Sequence, residues 1–277
     1  MKKFTFFLII TFFSFSIHAK EIKILAIGNS FSADAVEQNL YELAAAGGDT
    51  LIIGNLYIGG CSLERHFLNS LNDTAIYSYR KIVKGVKTET NYYRLTSAIK
   101  DEDWDYITFQ QASPLSGIYK SYFPFLTDLK SYVRMRATNA KVKFGLHATW
   151  AYAKNSKHTG FANYNWNQIK MYKSIVHAAN RAAKVVSMDF VIPAGTAIQN
   201  GRTSVIGDYF CRDGYHLQLD YGRYTVACTW YEVLLGKSVI GNHYRPEHIT
   251  VEQADISQRS AHFAVINPLV VTKINGW

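Results

Sequence analysis

The stretch from Ile22 to Ser32, IKILAIGNSFS, constrains the fold more than any other part of the chain. Ile22, Ile24, Leu25, Ala26 and Ile27 form a short apolar run closed by Gly28. A run with no polar face fits a parallel strand buried on both sides. Asn29 and Ser30 leave that strand, and from Asp34 the apolar positions Val36, Leu40, Leu43 and Ala44 recur at helical spacing. Ser30 therefore falls between the carboxyl end of a strand and the start of a helix, which is where ligands bind in an open parallel α/β sheet. A serine there has two readings. It is either a turn residue that caps the helix, or a hydroxyl facing a cleft beside N–H groups able to stabilise negative charge. On this stretch alone both stay open.

The rest of the chain alternates in the same way. Thr50 to Ile58 reads as a strand ending in Gly59-Gly60-Cys61-Ser62, where paired glycines allow a sharp turn or a close approach to a ligand. Ser62 to Leu68 reads as a short helix carrying Arg65 and His66. Tyr77 to Tyr93 alternates aromatic and charged residues around Lys84-Gly85, the pattern of a hairpin. A helix over Arg94 to Lys100 leads to the strand Trp104–Gln111, which finishes on two glutamines. Phe123 to Arg136 is helical, Lys141 to Trp150 is a strand, and Ala151 to Asn165 reads as a long exposed loop. A helix over Trp166 to Val186 and a strand over Met188 to Ile192, closed by Pro193, complete the alternation. It predicts an α/β fold: a doubly wound, flavodoxin-like parallel sheet of about five strands in a three-layer α/β/α sandwich. One domain is expected over residues 20–277, with a hairpin inserted near 75–93. Helices from about Asp220 to Leu235 and from about Val251 to Val265 follow, the second as a C-terminal extension.

Residues 1–19 are expected to lie outside that domain. A basic start, Met1-Lys2-Lys3, precedes an apolar run from Phe4 to Phe15, and Ala19 is a small residue at the expected cleavage point. This reads as a secretory signal peptide, so the protein is expected to be exported, to the periplasm or beyond. The apolar run is short for a membrane span, no lipid-accepting cysteine follows it, and no integral membrane segment is expected after its removal. The chain has 277 residues of which 48% are hydrophobic, enough for a sizeable core and too many for wholesale disorder. The formal net charge of +9 comes from scattered residues rather than a basic arm, which argues against a nucleic-acid partner. The three cysteines, Cys61, Cys211 and Cys228, make no disulfide framework, and no CxxC or His-rich spacing suggests a metal. No cofactor is expected.

Near the far end stands Cys211-Arg212-Asp213-Gly214-Tyr215-His216. Asp213 and His216 are three residues apart in a loop before a helix, a spacing that can aim both side chains at one site. Acyl transfer by a serine needs a hydroxyl, an imidazole to take its proton, and a carboxylate to hold the other ring nitrogen. Ser30, His216 and Asp213 supply the three. Taken singly, His216 reads as a structural or capping residue and Asp213 as a turn residue.

Gly28-Asn29-Ser30-Phe31 with Asp213-Gly-Tyr-His216 resembles the SGNH hydrolases, also called GDSL-type esterases. Four dispersed blocks between Ile22 and Gly236 carry the resemblance. The first block usually reads Gly-Asp-Ser, and here it reads Gly-Asn-Ser. The second contributes a glycine N–H to the oxyanion hole, matched by Gly60 with Gly59 as its neighbour. The last, Asp-x-x-His, matches in spacing. The third departs: the family commonly has Gly-x-Asn-Asp, whereas this chain has Phe109-Gln110-Gln111-Ala112-Ser113. That stretch is similar to the Tyr-Gln-Gly-Glu-Ser of sialate O-acetylesterase-like members, and on this pattern Gln111 takes the amide role in the oxyanion hole.

The resemblance implies an exported serine esterase with Ser30, Asp213 and His216 as catalytic residues and Ser30, Gly60 and Gln111 as oxyanion donors. It implies removal of O-acetyl or other acyl groups from carbohydrates, with a lipase or thioesterase of the same superfamily as the close variant. Asn29, His66, Gln110, Trp150 and Tyr215 are candidate substrate-binding residues. The 19 tyrosines and five tryptophans suit sugar substrates, since aromatic faces stack on pyranose rings, although most aromatic residues in any chain are core. A non-catalytic glycan-binding protein is the rival reading, with the altered third block as its support. If the loops of Cys61 and Cys211 line one cleft, a Cys61–Cys211 disulfide is expected; three reduced thiols are the alternative.

Overall fold

The computed structural model describes residues 21–275, and the signal-peptide reading of residues 1–19 lies outside them. Among the described residues are the strands β1 (Glu21–Gly28), β2 (Thr50–Tyr57), β3 (Tyr77–Val83), β4 (Val86–Tyr93), β5 (Tyr106–Phe109), β6 (Lys143–His147) and β7 (Phe190–Ile192). They form one sheet in the order β4-β3-β2-β1-β5-β6-β7. β1 sits inside it because it has no polar face. Ile22, Ile24 and Ala26 enter one core, and Leu25 and Ile27 the other. β1 pairs in parallel with β2, from Glu21 opposite Thr50 to Gly28 opposite Tyr57, and with β5, from Ile24 opposite Tyr106.

The order β2-β1-β5-β6-β7 is the expected doubly wound parallel arrangement. The sheet has seven strands rather than about five because the hairpin joins it. β3 pairs antiparallel with β2, and β4 with β3. The turn between them uses Lys84 and Gly85 at φ of 52° and 76°, the left-handed pair that matches the twist of a two-residue hairpin.

The helices α1 (Ser30–Val36), α2 (Leu40–Ala46), α3 (Leu63–Asn72), α4 (Leu95–Lys100), α5 (Phe125–Arg134), α6 (Gln168–Val185), α7 (Ala194–Gly201), α8 (Tyr221–Leu235) and α9 (Val251–Ile266) cover both faces. α1, α2, α7, α8 and α9 bury side chains in the first core, and α3, α4 and α5 in the second. α9 packs on α7 and α8. The first helix begins at Ser30, not Asp34, because the Asn29 side chain caps it by accepting from the Phe31 N–H at 3.0 Å. It breaks before α2 at Asn39, which takes φ of 67°.

Two other expectations change. Residues 151–165 are not a long exposed loop: Ala151, Tyr152, Ala153, Phe161 and Tyr164 are buried, and a 3₁₀ turn spans Thr159–Tyr164. Their aromatic rings turn inward, and the Ala153 N–H donates to Gly214 O at 2.8 Å, which ties this segment to the Asp213–His216 loop. The Cys61–Cys211 disulfide is not formed; all three cysteines are free. Cys61 lies in the second core, whereas Cys211 packs against the first, so the two sulfurs belong to opposite faces of the sheet.

Candidate active site

The strand order reverses between β1 and β5, and the loops after these two strands open a crevice there. β1 delivers the turn. Gly28 must lack a side chain, because a Cβ there would lie 2.6 Å from Ser32 Oγ and 3.0 Å from Gln110 Cδ. Asn29 caps α1, and Ser30 is its first residue.

His216 reaches Ser30 on a loop that α1 itself holds. The Asp34 carboxylate, 1% exposed, accepts from the Leu217 N–H at 2.9 Å, from Arg223 Nε at 2.8 Å and from Arg212 Nη1 at 3.2 Å. One short helix therefore carries the serine and anchors the loop that carries the histidine. Across this junction His216 Nε2 lies 2.9 Å from Ser30 Oγ, and His216 Nδ1 lies 2.6 Å from Asp213 Oδ2. A carboxylate only accepts, so Nδ1 carries the proton and Nε2 presents its lone pair to the serine hydroxyl. The other Asp213 oxygen accepts the backbone N–H groups of His216 at 2.7 Å and Tyr215 at 3.1 Å. Partial burial works to raise the Asp213 carboxyl, but the hydrogen bonds from the His216 ring and from the two backbone N–H groups, with the attraction of His216 once it is protonated, outweigh it and hold the group below its ordinary range.

Under the serine runs a chain of buried amides whose orientation the backbone fixes. Phe31 N–H donates to Asn29 Oδ1, so the Asn29 amide nitrogen must face Cys61 O, at 2.9 Å. Gln110 Nε2 donates to the same Oδ1 at 2.6 Å, and Gln110 Oε1 therefore accepts from His147 Nδ1 at 3.0 Å. Asn29 thereby fastens the serine turn to the Gly59-Gly60-Cys61 loop. An aspartate there would set an oxygen against the Cys61 carbonyl and leave that acceptor without a donor. Asn29→Asp is expected to cost about 1–3 kcal/mol of stability. Urea unfolding of the purified variant checks it.

The crevice is a cleft of about 420 Å³ with Ser30 and His216 at its base. Gly59, Gly60 and Tyr57 form one wall, and Ser113, His158 and Tyr215 another. Gly60 adopts φ of 62°, a left-handed conformation that favours glycine. The N–H groups of Ser30 and Gly60 meet no protein acceptor among the described residues.

The comparisons with known proteins bear on this fold. A domain of unknown function, DUF4886, matches residues 23–264. The chain belongs to the DUF4886 family. A DUF4886 family protein from Bacteroides uniformis, known from its crystal structure, shares 55% identity over 92% of this chain and 98% of its own, with a TM-score of 0.90. Two distant solved structures also align. One is a protein from Slackia heliotrinireducens proposed to be an SGNH hydrolase, with 16% identity over 76% of this chain and 97% of its own and a TM-score of 0.48. The other is a catalytic mutant of Axe2, an acetylxylan esterase from Geobacillus stearothermophilus, with 10% identity over 82% of this chain and 97% of its own and a TM-score of 0.49. No curated protein matches the chain.

In this DUF4886 family protein the residues singled out in sequence fall into two groups. Ser30, Asp213 and His216 are brought together, and Asn29, Gly60 and Tyr215 line the same cleft or its base. Gln111 is not brought there. Its Oε1 accepts from the Leu63 and Ala112 N–H groups at 3.0 and 2.9 Å, and its Nε2 donates to Ser121 O at 2.8 Å, so the amide braces the loop after β5. Gln110 is buried in the amide chain below Ser30, with neither end free for a substrate. His66 is fully buried against Tyr77, with Nδ1 3.1 Å from the phenol oxygen. Trp150 is also fully buried: it stacks on Phe31 with ring centroids 4.2 Å apart and donates through Nε1 to Tyr215 O at 2.7 Å. It positions the cleft wall and does not form it.

Sequence reasoning missed Asp34 as the anchor of the histidine loop, and Tyr57, Ser113 and His158 as walls. A carboxylate four residues after Ser30, on the buried side of a short helix, was the available signal for Asp34. Ser113 Oγ lies 2.8 Å from the Tyr152 hydroxyl, a contact between residues 39 apart that no local pattern announces. Among the described residues no group of three or more His, Cys, Asp or Glu side chains is arranged to hold a metal ion, and no helix is long and apolar enough to cross a membrane.

Proposed function

We propose that this protein is an exported serine esterase of the SGNH type that removes small acyl groups, acetyl first among them, from carbohydrates. The observation that carries the reading is the unbroken chain of contacts from Asp213 through His216 to Ser30 at the base of an open cleft. His216 Nε2 takes the hydroxyl proton as Ser30 Oγ bonds to the ester carbonyl carbon, and the carbonyl electron pair moves onto its oxygen. The unpartnered N–H groups of Ser30 and Gly60 are the donors for that oxyanion. Collapse breaks the bond to the alcohol, which leaves with the proton from His216. Water repeats the cycle on the acyl-serine and releases the acid. Asp213 keeps the proton on Nδ1 and stabilises the imidazolium. Because Gln111 is committed elsewhere, the oxyanion does not depend on it.

The cleft's size and walls support a small acyl group on a polar alcohol. Tyr57, which carries the Arg80 guanidinium on one face 3.9 Å from its ring centroid, and Tyr215 give the cleft an aromatic lining suited to a sugar. Incubation with a fluorophosphonate probe, followed by peptide mapping, tests the reading. Covalent labelling at Ser30, abolished in Ser30→Ala and outcompeted by acetylated sugars, is the expected result. A folded protein that takes no label at Ser30 and still binds glycans would be a binding module instead.

A further inference from the structure

A histidine in the wall of the cleft, one ring removed from His216, has a fixed tautomer and a free donor. His158 caps the 3₁₀ turn Thr159–Tyr164, and its Nδ1 accepts from the Gly160 N–H at 3.0 Å. A backbone N–H only donates, so Nδ1 is bare and the neutral ring carries its proton on Nε2. That Nε2–H meets no protein acceptor among the described residues, and the ring lines the cleft. Its orientation is held from two sides, with the Tyr152 ring centroid at 4.9 Å and the Tyr215 centroid at 4.8 Å. The ring therefore offers one aimed donor, with little freedom left to lose on binding.

The mechanism says which part of a substrate meets it. The oxyanion must face the N–H groups of Ser30 and Gly60. The leaving alcohol must face His216, which returns the proton to it. Tyr215 packs on His216 with centroids 4.1 Å apart, and His158 packs edge-on against Tyr215 at 4.8 Å. His216, Tyr215 and His158 are thus successive ring contacts in the lining of the cleft, which puts His158 one ring away from the group that meets the alcohol. Burial favours the neutral form of the His158 ring, a protonated His216 would add to that, and the Asp213 charge opposes it without prevailing. A neutral donor suits a neutral oxygen.

Resting on the esterase reading above, we infer that His158 determines specificity by donating from Nε2 to a free oxygen on the alcohol portion of the ester. The preferred substrate is then the monoester of a polyol or sugar, with an unesterified hydroxyl or ring oxygen near the scissile bond. A simple alkyl or aryl ester offers no such acceptor.

The test compares kcat/KM for a monoacetylated sugar and for phenyl acetate in wild type, His158→Asn and His158→Gln. Asparagine keeps the cap, since its Oδ1 stands where Nδ1 stood, and removes the distant donor. Glutamine carries an N–H to about the position of Nε2. In His158→Asn the ratio of the two specificity constants should shift about tenfold toward phenyl acetate, mainly through KM for the sugar ester, as the loss of one hydrogen bond to an uncharged group implies. Glutamine should recover part of that shift. An unchanged ratio in His158→Asn, with both esters slowed alike or neither affected, would overturn the assignment while leaving the esterase reading in place. A wild-type protein inert toward both esters would overturn the esterase reading, and this inference with it.

Discussion

Ser30→Ala and His216→Ala are each expected to lower kcat by about 10⁴-fold or more, because members of a triad act as a unit and removing either leaves the other without its task. The fold should survive both changes. Among the described residues the Ser30 hydroxyl has one side-chain partner, His216 Nε2, so its removal orphans no buried backbone group there. Asp213→Asn should fall between wild type and these variants. Asparagine can still accept the N–H groups of Tyr215 and His216 through one oxygen, but its amide hydrogens oppose the Nδ1–H that Asp213 now accepts. The ring is then driven toward the tautomer with the proton on Nε2, which cannot receive the serine proton. Steady-state kinetics on an acetyl ester, with far-UV circular dichroism to establish folding, make the measurement. Full activity in purified Ser30→Ala would sink the mechanism.

The legible part of this fold is that which short-range pattern controls. β1 is apolar on both faces, and that alone places it inside a parallel sheet and Ser30 at a strand end. The hairpin was legible from Lys84-Gly85, but its attachment to β2 was not, because antiparallel pairing at a sheet edge leaves no mark in the local sequence. The spacing of Asp213 and His216 was legible because one loop lets the same carboxylate take a ring nitrogen and two backbone N–H groups. Side-chain direction at the other strand ends was not. Gln110 and Gln111 are adjacent amides ending one strand, and neither reaches the cleft. Gln110 is drawn down by its Nε2, which donates to Asn29 Oδ1, and Gln111 sideways by its Nε2, which donates to the Ser121 carbonyl, ten residues on. Trp150 and His66 were attractive for their chemistry, yet both are fully buried, Trp150 in the first core and His66 against Tyr77 of the second. His158 was overlooked for the opposite reason, since the loop that carries it gives no periodic signal.

Acid should destabilise this protein steeply, and two core histidines are the reason. His66 and His147 are both fully buried, and burial lowers each pKa to about 3. At His66 the Arg65 charge adds to the effect, and the Gly28 carbonyl opposes it without prevailing. At His147 the Nδ1 proton is spent on Gln110, and the buried Nε2 has no partner among the described residues, so a second proton would be a charged donor with no acceptor. In the unfolded chain both rings titrate near about pH 6.5. The sign follows: above that pH both rings are neutral in either state and their contribution is constant. Below it the unfolded chain binds two protons that the folded chain refuses, so stability falls as pH falls, down to the folded pKa. Each histidine costs about 1.4 kcal/mol per pH unit in that window. Between about pH 6.5 and 4.5 the pair removes about 5 kcal/mol, a sum comparable to the whole stability of a marginal domain. Urea unfolding across this range should show the steep slope, and His147→Gln, though less stable at neutral pH, should lose about half of the histidine part of it. Imidazole resonances of His66 and His147 that titrate near about pH 6 in the folded protein would refute the account, because a ring that accepts a proton in its buried site gives the unfolded chain no advantage in acid.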